Sequence, residues 1–173
     1  MIRANDAALL VIDVQDGFGS YKCFEDVVAG AAKLVQAAGI LDLPVTVTEQ
    51  YPKGLGPTTA AVGLPEEVTR LEKTVFSACR AEGFQLHGRQ QVVLCGIEAH
   101  VCVAQTALDL LEQGIEVHVV TDAVGSRHKR DRKVGLRRLE QAGCVLTTVE
   151  MVLLELCERA GTPEFKDIQR IIR

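Results

Sequence analysis

The sequence predicts a three-layer α/β/α protein built on a doubly wound, six-stranded, mostly parallel sheet of Rossmann-like type, and three observations lead there. Short β-branched runs alternate with longer segments of helical period, the rhythm of repeated βαβ units. Two of the runs, Ala8-Leu9-Leu10-Val11-Ile12 and Val92-Val93-Leu94, are apolar throughout, as a strand must be when helices cover both faces of its sheet. The chain has 173 residues, 47% of them hydrophobic and 24% charged, which suits one domain spanning residues 1–173 with a core that needs no cross-links.

Taken in order, the first strand is expected over Ala7–Asp13. After it, Val27, Ala31, Leu34, Val35 and Ala38 recur at steps of three and four, the spacing of a helix with one apolar face, which ends near Gly39. Further strands are read at Pro44–Glu49, Glu72–Phe76, Gln91–Gly96, Glu116–Thr121 and Val145–Val149, with helices at Val101–Gln113, Arg130–Ala142 and Glu150–Ala160. The segment from Gln50 to Pro65 breaks this rhythm with turn residues and is expected to be a functional or mobile loop.

Several partners are disfavoured. The formal net charge is -4, and the short basic run Arg127-His128-Lys129-Arg130 gives no electrostatic footprint for a phosphate backbone, so no nucleic-acid partner is expected. Apolar runs such as Ala7–Ile12 fall far short of the roughly 20 residues that span a bilayer, so no membrane is expected. The first residues hold no signal-type segment, and the six cysteines are irregularly spaced without a CxxC pair. Reduced thiols in the cytoplasm are expected, rather than disulfides or zinc sites.

In an open parallel sheet, ligands bind beyond the carboxyl ends of the strands. Asp13 ends the first strand directly after an apolar run, where desolvation raises a carboxylate's pKa and suits it to act as a base; a helix cap or ion-pair member is the alternative. Cys102 lies six residues after Gly96, in the first turn of the following helix. Unpaired N–H groups and the positive dipole end there lower a thiol's pKa and receive an oxyanion. Val101, Ala104, Leu108 and Leu111 are read as the core-facing stripe, which leaves Cys102 turned about 100° away, toward the cleft; a small buried hydrophobe is its alternative role. Lys73 means little alone, because a strand lysine is usually a solvated edge residue. Beside Asp13 and Cys102 it would hold the carboxylate charged and favour thiolate. Cys95, Cys144 and Cys157 are expected to be structural.

Five segments occur in order: Leu10-Val11-Ile12-Asp13-Val14-Gln15, Val47 to Pro57, Glu72-Lys73-Thr74-Val75-Phe76-Ser77, Gly96 to Val103, and Thr121 to Arg127. Together they resemble the isochorismatase-like cysteine hydrolases, a superfamily that includes nicotinamidases and N-carbamoylsarcosine amidohydrolases. Glu49–Pro57 and Glu98–Val103 are most similar to the isochorismatase-domain subgroup. The resemblance implies an Asp–Lys–Cys triad of Asp13, Lys73 and Cys102, a cis peptide between Ile97 and Glu98, and an oxyanion hole from the backbone N–H groups of Glu98 and Cys102. Many relatives carry Thr-Asp where this chain has Ala99-His100, which removes a hydroxyl that braces the loop. Nicotinamidases hold a metal with an Asp and two His after the second strand, whereas residues 49–65 contain no histidine; no metal and no cofactor are expected.

The reaction expected is hydrolysis of a small amide, imide or related carbonyl compound through a covalent Cys102 thioester. Gln15, Phe18, Tyr51, Phe76 and His100 are candidates for lining the pocket, with core packing the alternative for Phe18 and Phe76 and a solvated first-turn position the alternative for His100. Asp122 is expected to cap or brace loops, His118 to be satisfied structurally, and Arg127 to meet a substrate anion or a neighbouring subunit. The partners expected are a small-molecule substrate and further copies of the chain, since Met151–Leu156 is apolar. A rival reading is an enzyme-like binding or assembly module that keeps the triad without efficient turnover. A dinucleotide enzyme is disfavoured because no GxGxxG follows the first strand.

Overall fold

The computed structural model describes residues 1–173. Six strands, β1 (Ala7–Ile12), β2 (Val45–Gln50), β3 (Arg70–Lys73), β4 (Gln91–Ile97), β5 (Glu116–Gly125) and β6 (Val145–Thr147), form one sheet in the order β3-β2-β1-β4-β5-β6. Every pairing is parallel. The helices are α1 (Phe24–Ile40), the one-turn α2 (Pro52–Leu55), α3 (Cys102–Glu112), α4 (Lys129–Ala142), α5 (Val149–Cys157) and α6 (Pro163–Ile172). Leu9 and Val11 of β1 join Val93, Cys95 and Ile97 of β4 in one core beneath α1, α5 and α6, while Leu10, Ile12, Val92 and Leu94 join the other beneath α3 and α4. This is the two-residue alternation of a pleated strand, and each large aliphatic side chain so buried contributes roughly 1.5–3 kcal/mol. No helix is long and apolar enough to cross a membrane.

Beyond shifts of one to three residues at several element ends, two boundaries and one additional helix differ from the sequence expectation. β3 ends at Lys73 rather than Phe76, because the carbonyls of Val75 and Phe76 turn to the Lys73 ammonium instead of continuing the ladder with β2. β5 runs on to Gly125, where Val124 and Gly125 pair with Gly96 and Ile97 after a register shift. α6 lies beyond the expected helices, although Phe165, Ile168, Ile171 and Ile172 recur at helical spacing and the three isoleucines pack in or against the core; Thr162 Oγ1 caps it by accepting from Phe165 N at 3.1 Å. The Gln50–Pro65 segment is pinned rather than loose: Glu49 Oε1 accepts from the backbone N–H and the hydroxyl of Thr58, both at 2.7 Å.

The chain winds from β1 toward one edge of the sheet and from β4 toward the other, so a crevice opens at the carboxyl ends of these two strands. Gly96 makes their approach possible. It has φ of 132°, and a Cβ built there would stand 1.9 Å from the Ile12 carbonyl oxygen.

Candidate active site

Asp13 follows β1 with φ of 52°, a left-handed conformation that costs a non-glycine residue about 1 kcal/mol or more. Its carboxylate is held twice: Oδ1 accepts from Thr48 Oγ1 at 2.7 Å and Oδ2 from Lys73 Nζ at 2.7 Å. Lys73 Nζ also donates to Gln50 Oε1 at 2.6 Å and to the Phe76 carbonyl at 3.0 Å, which gives each of its three protons a partner. The Asp13 and Lys73 side chains have 0% exposure. Desolvating two ions costs several kcal/mol each, and hydrogen bonding as complete as this is what offsets it. The edge-residue reading of Lys73 is therefore set aside by its burial.

Cys102 opens α3 and is 6% exposed. Its Sγ lies 4.0 Å from Gln50 Oε1. Burial, followed by the adjacent Asp13 charge, pushes the thiol up to about 12, against a weaker downward pull from Lys73 and the Glu98 backbone N–H. This corrects the expectation that the helix start lowers the thiol's pKa: desolvation outweighs the dipole, and the resting sulfur carries its proton. The core-facing stripe is also rotated from the expected one. Of the expected stripe only Ala104 is buried, together with Cys102, Val103, Thr106, Ala107 and Leu110, whereas Val101, Leu108 and Leu111 are only half-buried.

The loop before α3 carries a cis Ile97–Glu98 peptide at the position the sequence resemblance implies. The Glu98 carbonyl accepts from Val101 N at 3.0 Å and Val103 N at 3.2 Å, and Ala99 N donates to the Gly125 carbonyl at 2.7 Å. The hydroxyl missing at Ala99 is replaced by another brace, in which His100 Nδ1 meets Ser126 Oγ at 3.0 Å. Gly135 of α4 lies so close that an added Cβ would stand 3.0 Å from His100 Cα.

The remaining candidates divide. Gln15 is wholly buried and spends its amide on backbone, donating to the carbonyls of Gln50 (3.0 Å) and Gly56 (2.7 Å) and accepting from Gln50 N at 2.7 Å. It fixes the β2 end and does not line a pocket. Phe18 belongs to the core and packs on Tyr21 with ring centroids 5.2 Å apart, again a correction. Tyr51 and Phe76 are exposed by 55% and 50%. Asp122 Oδ1 caps α5 by accepting from Val149 N at 2.9 Å, and buried His118 pairs with Glu116 at 2.6 Å. Cys95 and Cys144 are buried and Cys157 half-buried.

Sequence reasoning passed over Thr48, Gln50 and Thr106. Two of them had a signal: Val45-Thr46-Val47-Thr48 alternates apolar and polar and Glu49-Gln50 continues it with polar residues, unlike the wholly apolar runs of the central strands. Thr106 had none, being one of several polar residues of an amphipathic helix; its hydroxyl donates to the Cys102 carbonyl at 2.7 Å and accepts from Ala78 N at 2.8 Å. A cavity of about 330 Å³ next to Lys73 is lined also by Tyr51, Lys53, Glu72 and Thr74. Larger ones of about 640 and 750 Å³ lie elsewhere and include none of Asp13, Lys73 and Cys102. No group of three or more His, Cys, Asp or Glu side chains comes together as a metal site would require.

An all-parallel sheet wound in both directions from a β1/β4 crevice defines a doubly wound α/β protein. A profile of the Isochorismatase domain matches residues 7–151, and the chain belongs to the isochorismatase family. It is 47% identical over 176 aligned residues to isochorismatase domain-containing protein 2 of Danio rerio, covering 99% of this chain and 89% of that protein. Among solved structures it is similar to one described as the MAR1 ribonuclease of Caenorhabditis elegans, with TM-score 0.92 and 44% identity over 99% of this chain and 91% of the other. It is also similar to the YcaC gene product of Escherichia coli, described as an octameric hydrolase of unknown specificity, with TM-score 0.88 and 26% identity over 98% and 89% of the two chains.

Proposed function

We propose that the protein is a cysteine hydrolase that cleaves a small amide, imide or related carbonyl compound through a Cys102 thioester. The observation that carries this reading is a buried carboxylate, with its lysine partner, beside a buried thiol that opens a helix. Asp13 takes the Cys102 proton as the sulfur attacks the carbonyl carbon, and the oxyanion formed is received by the N–H groups of Glu98 and Cys102. Collapse breaks the C–N bond and the Asp13 proton leaves with the amine. Water then attacks the thioester, with Asp13 as base, and frees the acid and the thiol. Lys73 holds the Asp13 carboxylate in position through both half-reactions. A thiol that is 6% exposed favours a small substrate, with Tyr51 and Phe76 at its rim.

RNA as the reacting substrate, as the name of the C. elegans structure would imply for that protein, finds less support. The buried cation of the cluster, Lys73, is already spent on Asp13, Gln50 and Phe76, so it is not free to meet a phosphodiester. Self-association belongs to the proposed reading, since Met151 and Leu154 on α5 are exposed by 50% and 42%; light scattering is expected to give a mass above one chain.

Intact-mass spectrometry during exposure to a panel of small amides and imides tests the chemistry. A transient adduct on the wild type, absent from Cys102→Ala with an unchanged circular dichroism spectrum, is expected. Loss of folding in that variant, or turnover that persists without the sulfur, overturns the proposal.

A further inference from the structure

We propose that the exposed face of α4 is a docking surface for a nucleic-acid duplex, which it holds by the phosphates and without regard to sequence. Of the 19 Lys and Arg in the chain, seven fall between residues 127 and 138 (Arg127, Lys129, Arg130, Arg132, Lys133, Arg137 and Arg138), and of the 23 Asp and Glu only Asp131 does. The rest of the molecule therefore carries twelve cations against 22 acids. The overall charge of -4, which alone argues against a phosphate partner, averages over two regions of opposite sign.

Packing decides which of these charges face outward. Arg132 turns inward and donates to the carbonyls of Val124 and Thr121, while the other six are exposed. Arg130, Lys133 and Arg137 stand at i, i+3 and i+7, one face of the helix over about 10 Å. Their one ion pair is the loose contact of Arg130 with Asp131 at 3.6 Å, so most of this charge is free to meet a partner.

The partner is narrowed by what the face lacks. A lipid surface would be gripped by apolar side chains interleaved with the cations, and Val134 is the one exposed large hydrophobe on α4. Unpaired bases stack on aromatic rings, and α4 has none. Cations alone match a continuous phosphate ridge, where each contact releases a counterion and contributes salt-dependent, sequence-independent affinity. None of these six side chains holds Asp13, Lys73 or Cys102, so the surface stands apart from the proposed hydrolysis.

Fluorescence anisotropy with a labelled RNA duplex of about 20 base pairs, titrated between about 50 and 200 mM salt, tests it. Binding with a log–log salt slope of about -3 to -5 is expected, a loss of about sixtyfold to a thousandfold across that range. The triple variant Arg130→Glu/Lys133→Glu/Arg137→Glu is expected to weaken binding at least tenfold and flatten the slope by about three. Arg130→Gln/Lys133→Gln/Arg137→Gln is expected to behave likewise if charge reversal hinders folding. The same reversal at Arg159, Lys166 and Arg173, exposed cations outside α4, is expected to change affinity no more than about threefold. Absence of binding at low salt, equal loss in the two reversed variants, or binding to anionic vesicles but not to the duplex overturns the proposal. Cys102→Ala is expected to bind as the wild type does, whatever becomes of hydrolysis.

Discussion

At the scale of single residues, Gln50 joins the site together. Its Nε2 donates to the Thr74 carbonyl at 3.0 Å, which fixes the amide so that the oxygen faces Lys73 and the thiol. The sulfur therefore looks onto an amide oxygen and a carboxylate, both of which disfavour thiolate. Two substitutions of opposite sign follow. In Asp13→Asn the charge that raises the thiol's pKa is gone while Lys73 remains, so iodoacetamide labelling of Cys102 at pH 8 is expected to rise about tenfold or more even as turnover disappears. In Lys73→Met the group that lowers the pKa is lost, and labelling is expected to slow. Both break a buried pair and are expected to lose about 3 kcal/mol or more of stability by urea titration. Equal labelling rates in the two variants would contradict the electrostatic account.

At the scale of elements, the segment that supplies the carbonyl partners of Lys73 is clamped to the helix that supplies Cys102. Ala78 N donates to Thr106 Oγ1 at 2.8 Å, and the Arg80 guanidinium meets Asp109 at 2.9 and 3.0 Å. Thr106→Val removes the buried acceptor and is expected to lose about 1–2 kcal/mol with slower turnover, whereas Thr106→Ser restores both. Gly96→Ala drives a Cβ into the Ile12 carbonyl and is expected to lose about 4 kcal/mol or more, read as a sharply lower Tm. These couplings also explain what could be read in advance. Local patterns carry β1, β4 and the helices on either side of them, because burial on both faces leaves a continuous apolar run. The positions of Asp13 and Cys102 come with those elements. The Thr106 contact, the Gln15 brace and the bond of Gln50 to Lys73 depend on residues 23 to 41 positions apart, whereas α6 did leave a period, in Phe165, Ile168, Ile171 and Ile172, that went unread.

At the scale of the whole molecule, the six cysteines are all unpaired and several thiols are deeply buried. Burial pushes Cys95 and Cys102 up to about 12, and Cys79 and Cys144 up to about 11. An unfolded thiol ionises near 8.5, so between about pH 9 and 11 the folded chain retains protons that the unfolded chain has released. Stability contributed by these groups is complete below that window and is lost as pH rises through it, on the order of 1 kcal/mol for each thiol per pH unit. The urea midpoint is expected to fall steadily above pH 9, and a flat profile to pH 11 would contradict it. The same burial bears on life in the presence of hydrogen peroxide. Oxidation to sulfenic acid proceeds through thiolate, so under the proposed mechanism, in which Cys102 gives up its proton only as it attacks a carbonyl, the sulfur is expected to stay unoxidised between turnovers.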